Sequence, residues 1–390
     1  MKLFLKLLKK ARAHQISDIH LRAAQKVIAR KNKSLVILEK EAIPKGFLSD
    51  LAKNVMSSEE WLLYSKNGKD IHCSFSHKEL GRFRLCFFKQ QGQLAVVCRL
   101  IAQVIPSIQQ LGLPSSYKKV ATLRQGLVLI TGAAGSGKTT SLASMIEYRN
   151  QSLSGHIVTL EDPIEFTFEE KKSLITQREI GVDVSSFEQG LQSSLRLDPD
   201  VIMIGEIRDA QTMKTALMAA ETGHLVLATL HTVDAIETIY RVLSFFDAGE
   251  SRSFRHLLAS SLKAIFSQKL VPSKNEQQLI PVCEILLNTL GVKECLLQEG
   301  KESFLKELIE GGAQLGMQSF DQDLMAKVLQ RKITDKVAMR YSSTPHNFNL
   351  GLKGYHKGSD APWKSQQPGA RRMHIATLGD LKPLKLNDDE

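Results

Sequence analysis

The sequence predicts a two-domain α/β protein, a small α+β domain followed by a larger domain built on a parallel sheet. Three observations carry this. With 390 residues, 43% of them apolar, the chain can bury two separate cores. Its first hundred residues alternate strand-like runs with turns. From Tyr117 to about Ser267 the runs GLVLIT, HIVTLE, DVIMIGE and HLVLATLH each lead into turn or helix signals. Such continuous apolar strands belong to a parallel sheet covered on both faces.

Each segment follows in order. The opening MKLFLKLLKKAR sets Leu3, Phe4, Leu7 and Leu8 against Lys2, Lys6, Lys9 and Lys10. It lacks the long apolar region and small-residue cleavage site of a signal peptide. Two roles remain for it, a helix packed on the first domain or one lying on an anionic membrane. KSLVIL, DIHCSFS, GRFRLCFF and LAVVCRL read as strands of a first domain at 1–105. QVIPSIQQLGLPSS then brings proline and glycine between periodic segments, which places an interdomain connection at 106–116. The larger domain is expected at 117–345, with further helices over SFRHLLASSLKAIFSQKL and later segments. The tail, 346–390, is rich in Gly, Pro and charge and is expected to be disordered.

No apolar segment reaches the ~18 to 20 residues of a membrane span, and a cytoplasmic protein is expected. A formal net charge of +11 admits nucleic acid, anionic lipid or an acidic protein as partner. The basic residues are scattered and form no aromatic-basic module, so charge selects none of these. Cys73, Cys86, Cys98, Cys283 and Cys295 form no C-x-x-C pair and read as buried free thiols.

The most specific signal is GAAGSGKTT, which fits G-x-x-x-x-G-K-[ST] between a strand-like run and a helical pattern. Gly132, Ala133, Ala134, Gly135, Ser136 and Gly137 would turn backbone N–H groups around phosphate oxygens at a helix N-terminus. Lys138 would reach the β- and γ-phosphates, Thr139 would offer its hydroxyl to Mg²⁺, and Thr140 continues the nucleotide-binding segment. ATP and Mg²⁺ are the expected ligands.

Other candidates lie at predicted strand ends. PDVIMIGEIRD carries Glu206 after four apolar residues, and HIVTLEDPIEF carries Glu161, Asp162 and Glu165 around Pro163. Either carboxylate group could orient or deprotonate a water in line with the γ-phosphate; either could also be an ordinary ion-paired group. His224 and His231 bracket the strand LVLATL and read equally as structural histidines or as γ-phosphate contacts. Arg82 and Arg84 share one face of a strand and Arg99 closes another. They form either a solvated face or a set of cations offered to phosphate from outside the P-loop domain.

Together GAAGSGKTT, EDPIEF, GEIRD and GHLVLATLHT resemble the type II/type IV secretion ATPase superfamily, most closely its PilT/PilU retraction branch. The resemblance runs from SDIHL near Ser17 to GMQSFDQDL ending at Leu324, and YRNQSLSGHIVTLEDPIEF and LKAIFSQKLVP are its most PilU-like phrases. It implies a PAS-like N-terminal domain, a flexible linker and a RecA-like domain with C-terminal helices, assembled as a homo-hexamer at a pilus base. It also implies peripheral association with the inner membrane, with a sister retraction ATPase and a membrane platform protein as partners and no specific nucleic acid. The family's general base falls on Glu165 and its Walker B glutamate on Glu206, near Mg²⁺ directly or through water. Its histidine box falls on His224 and His231. Its nucleotide-reaching arginines fall on Arg82, Arg84 and Arg99, and Arg82 and Arg84 are expected to complete a neighbour's site.

Two departures are visible. Ala134 replaces the usual threonine, and HLRAAQKVIARKNKSLVILEKEAIP lacks the usual glycine and proline pattern, so a shortened or remodelled first domain is expected. Three other readings stay open. An assembly or secretion ATPase normally carries a four-cysteine module that these cysteines do not form. A non-hydrolysing ring component sits poorly with intact Lys138, Glu165 and Glu206. A nucleic-acid translocase has only the charge in its favour.

Overall fold

The computed structural model describes residues 1–354 apart from Gln15, Asn32, Lys33, Gly68, Ala102, Gln103 and Gln277. Its first sheet contains β1 (Asp18–Arg22), β2 (Lys26–Lys31), β3 (Ser34–Ala42), β4 (Ile71–His77), β5 (Gly81–Gln90) and β6 (Gln93–Leu100). They lie in the order β3-β2-β1-β6-β5-β4, every pair antiparallel. Alternation on β5 buries Phe83, Leu85 and Phe87 and leaves Arg82, Arg84 and Cys86 on the opposite, half-covered face. β1 and β2 were not foreseen, because each is short and at most half of its residues are apolar.

The opening segment is a helix, Lys2–Ala13, and its apolar stripe of Phe4, Leu7, Leu8 and Ala11 is buried in the first core. Phe4 meets Phe75 edge-on at 5.5 Å between ring centroids. Each such side chain contributes about 1.5–3 kcal/mol when removed from water. The stripe is therefore spent on packing and is not offered to a membrane.

The second sheet contains β7 (Gly126–Thr131), β8 (Gly155–Glu161), β9 (Ser173–Glu179), β10 (Val201–Ile204), β11 (Leu225–Leu230), β12 (Leu262–Pro272) and β13 (Leu279–Leu287). The order is β13-β12-β7-β11-β10-β8-β9, parallel except between β12 and β13. On β7, Leu127 and Leu129 enter one core while Val128 and Ile130 enter the other, so helices cover both faces. This is the expected α/β fold, with an antiparallel first domain and a mostly parallel second sheet.

Three expectations are corrected. SFRHLLASSLKAIFSQKL is not wholly helical: the helix Ala248–Ser261 ends where β12 begins, and β12 is clamped between β7 and β13. A short apolar run has the same appearance in a buried strand and a buried helix. The connection placed at 106–116 is packed from Ile108 onward, since Ile108 and Leu113 belong to the second domain's core. The tail does not lose structure at 346. A helix, Pro345–Leu352, buries Phe348 against Phe320, Leu324, Ile333 and Ala338, beside Val271 of β12 and Val282 of β13. Residues 355–390 lie outside the described residues.

Phe348→Ala is expected to cost about 3 kcal/mol and to loosen the helix Phe320–Leu329 first, read as faster amide hydrogen exchange in that helix. Unchanged exchange there would show that the last helix adds nothing to this layer.

Candidate active site

The phosphate loop leaves the carboxyl end of β7 and runs into the helix Lys138–Ser152, which is capped by Gly137. Its glycines are required by both backbone and space. Gly132 has φ 143° and Gly137 has φ 90°. A Cβ on Gly132 would stand 2.3 Å from the main-chain oxygen of Gln268, and one on Gly137 would stand 2.9 Å from the Gln268 side chain. Ala133, Ala134 and Gly135 are exposed, Thr139 and Thr140 are half-buried, and the buried Ser136 hydroxyl has no partner among the described residues. Ala134 is exposed, so its side chain is not a packing contact of the loop.

Lys138 Nζ donates to the carbonyls of Gly132 at 2.7 Å and Ala133 at 3.2 Å, and lies 3.5 Å from His231 Nδ1. Burial pushes its pKa below the usual lysine value, while Glu206 and Glu165 oppose that shift. Both carboxylates therefore stand close enough to favour the charged form of the loop lysine.

Glu206 follows β10 through Gly205, and this exit is stitched to β11. Thr229 Oγ1 donates to the Gly205 carbonyl at 2.5 Å, and the Ile207 N–H donates to the Thr229 carbonyl at 3.1 Å. One Glu206 oxygen lies 3.2 Å from His231 Nε2 and the other 2.9 Å from Arg208, whose guanidinium also approaches Asp162 at 3.6 Å. Arg208 is a residue that sequence reasoning quoted within GEIRD without giving it a part. Its spacing of two from Glu206 was the available signal.

The acidic segment divides its labour. Glu161, at the end of β8, is buried and accepts from Thr159 at 2.8 Å, Gln177 at 3.0 Å and the Glu165 N–H at 3.4 Å. Burial pushes its pKa up and these bonds partly offset the shift. Glu165, in contrast, is exposed. The buried carboxyl shapes the turn and the exposed one is left to face solvent or a ligand.

Two histidines were expected at the site, and one is there. His224 precedes β11 at its amino end and bonds through Nδ1 to the Ala219 carbonyl at 2.9 Å, closing the helix Ala210–Glu221. It is separated from His231 by the length of a six-residue strand, roughly 20 Å at the usual rise. A strand flanked by histidines cannot bring both to one edge.

The arginines also separate. Arg99 is paired within the first domain to Asp18 at 2.7 Å. Arg82 crosses to the second domain of its own chain, donating to Glu179 at 2.5 Å and to Ser74 at 3.3 Å. Glu179 is in register with Glu161 but lies on the outer strand β9, four strands from β7, or about 19 Å across the sheet. Arg84 shares its face and has no side-chain hydrogen bond or ion pair among the described residues. Glu179 is a further residue that sequence reasoning missed.

The donor set fits ATP with Mg²⁺. A lysine, a glycine-forced loop and a helix N-terminus suit a polyphosphate. Among the described residues no group of three or more His, Cys, Asp or Glu side chains could hold a metal ion. Mg²⁺ in such sites takes one or two protein oxygens, with phosphate and water completing its shell, and Thr139 and Glu206 are the available protein groups. The free cysteines supply no metal site, and burial pushes Cys73 and Cys283 each up to about 12.

Residues 1–340 match the family described as Type II/IV secretion system protein. The chain belongs to that family. It is 36% identical over 374 residues to the type IV pilus ATPase PilU of Pseudomonas aeruginosa, covering 96% of this chain and 94% of that one. It is 40% identical over 275 residues to the type IV pilus retraction ATPase PilT of the same organism, covering 70% and 79%. The crystal structure of the pilus retraction motor PilT with bound ADP matches with a TM-score of 0.80 at 38% identity, over 88% of this chain and 98% of that one. Within the family the chain stands on the PilT/PilU branch of ATPases, and the match includes the first domain.

One carboxyl behind the site has a testable titration. Glu284 on β13 accepts the Ala235 N–H at 2.8 Å, just past the His231 loop. Burial raises its pKa to about 7 from 4.5, and the Ala235 bond opposes the rise. The folded chain therefore holds this proton more tightly than the unfolded one. That stabilisation is complete below about pH 4.5 and is lost as pH climbs to about 7. Glu284→Gln keeps an acceptor for Ala235, so its urea midpoint should rise relative to wild type across this window. A constant difference would contradict the assignment.

Proposed function

We propose that the chain is a Mg²⁺-dependent ATPase working as a homo-hexameric ring that drives or assists type IV pilus retraction. The observation that carries this is a chain of contacts on one rim of the sheet, in which His231 lies 3.5 Å from Lys138 through Nδ1 and 3.2 Å from Glu206 through Nε2. The chain's relatives bear the names of pilus retraction ATPases.

In this reading the N–H groups of Gly132 to Gly137 and the Lys138 ammonium hold the β- and γ-phosphates. Thr139 offers its hydroxyl to Mg²⁺, and Glu206 holds the ion directly or through water. Bound Mg²⁺ would supply charge neutralisation for the leaving phosphate oxygens. Glu165, exposed beside the site, orients or deprotonates the attacking water, and Glu161 fixes the turn that carries it. His231 couples Glu206 to Lys138, so loss of the γ-phosphate is felt by a carboxylate and a cation together. Phosphoryl transfer asks mainly for positioning and charge neutralisation, which this set provides.

Arg84, and Arg82 once released from Glu179, would reach a neighbouring subunit's nucleotide from the first domain. An arginine added in this way can contribute a factor of about 10³ to 10⁵. Domain closure would then couple hydrolysis to movement. No helix among the described residues is long and apolar enough to cross a membrane. The ring would act from the cytoplasm, held at the inner membrane by a pilus platform protein and working beside a sister ATPase.

Lys138→Ala should lose ATP binding, whereas Glu206→Gln should bind ATP and lose turnover by about 10² or more. Near-normal turnover in Glu206→Gln would remove that residue from the mechanism. In a native host, deleting the gene should leave pili on the surface and impair their retraction under load. Bald cells would point to assembly, and turnover stimulated by DNA would point to a translocase.

A further inference from the structure

The strand that sequence reading took for helix carries a side chain placed on the phosphate loop from outside it. We propose that Gln268 on β12 is a positioning residue that sets the loop for phosphate by tying it to the first turn of the following helix. The proposal rests on the reading of the loop as a nucleotide site.

Gln268 is 2% exposed and uses both ends of its amide. Nε2 donates to the Ser136 carbonyl at 2.9 Å, and Oε1 accepts from the Ser141 hydroxyl at 2.8 Å. The first bond fixes a peptide plane. In a trans peptide the N–H points opposite to the C=O, so a Ser136 carbonyl turned toward β12 sends the Gly137 N–H away from β12 and into the loop. That N–H is one of the orphan donors at the start of the helix Lys138–Ser152, where an anion is held. The second bond anchors the same amide to the helix, so loop and helix cannot drift apart.

β12 meets the loop at both ends. Its Gln268 carbonyl stands against Gly132 and its Gln268 side chain against Gly137, close enough that neither position has space for a Cβ. The parallel pairing of Ser267 with Thr131, joined through their hydroxyls at 2.9 Å, fixes the register that brings Gln268 there. Only a group with one donor and one acceptor can make both bonds. A carboxylate supplies two acceptors and would oppose the Ser136 carbonyl; a protonated carboxyl restores the donor.

The test uses this difference. Affinity for a fluorescent ADP is measured from pH 5.5 to 8.5 for the full chain, Gln268→Glu and Gln268→Leu, with melting temperatures alongside. The expected result is that Gln268→Glu binds about tenfold more weakly than wild type at the alkaline end and recovers most of that loss as its buried carboxyl protonates. Titration of Lys138, bonded to the Gly132 carbonyl, affects both proteins alike and cancels in the ratio. Gln268→Leu should bind weakly at every pH. If it fails to fold, the pH-dependent recovery of Gln268→Glu decides alone. Wild-type affinity in Gln268→Glu throughout the range, or a loss that no pH repairs, would overturn the proposal. A wild-type chain that binds no ADP would overturn the nucleotide site and the proposal with it.

Discussion

Parallel pairing brings the carboxyl ends of β7, β8, β10 and β11 onto one rim of the sheet, and the chemistry of this chain depends on that constraint. Each strand there leads into a loop: the phosphate loop from β7, the acidic turn from β8, Gly205 and Glu206 from β10, and His231 from β11. Hydrophobic burial on both faces fixes the register. A slip of one residue would turn Val128 and Ile130 into the core that Leu127 and Leu129 occupy, and would carry the loop away from Glu206.

Electrostatics at the rim are balanced against burial. Lys138 is disfavoured as a cation by its surroundings and supported by Glu206 and Glu165. Glu206 divides its two oxygens between His231 and Arg208, and Arg208 reaches on to Asp162. In the proposed reaction a polyphosphate would meet a largely buried lysine and a Glu206 carboxylate already held by His231 and Arg208, which leaves less to reorganise. The first domain meets the outer end of the rim where Arg82 and Ser74 both reach Glu179. That ion pair links the first domain to the acidic turn, since the Ile164 N–H also donates to Glu179 at 3.4 Å.

Much of this was legible in the sequence because the relevant signals are local. The phosphate loop states its own geometry through glycine spacing, and apolar tetrads such as Val201–Ile204 announce strands whose ends carry the candidate residues. Glu206, Glu165 and Lys138 stand out in this way as candidates. What was not legible depends on pairing between distant segments. β12 reads as a continuation of a helix until β7 is available to pair with it. His224 and His231 look equivalent in sequence, and only the direction of β11 separates them. Arg99 and Arg82 have partners 81 and 97 residues away, beyond the reach of any local pattern. Phe348 sits in a segment of tail-like composition, and its burial depends on a layer of helices whose packing the sequence does not display.

The central claim is that the residues gathered on the rim act on phosphate as one unit. Single-turnover ATP hydrolysis by wild type, Glu206→Gln, His231→Ala and the double variant tests it most directly. With His231 acting through Glu206, the double variant should be about as slow as Glu206→Gln alone, because the second change removes nothing further. Rate losses that multiply would contradict the account and make His231 and Glu206 independent neighbours on the same edge.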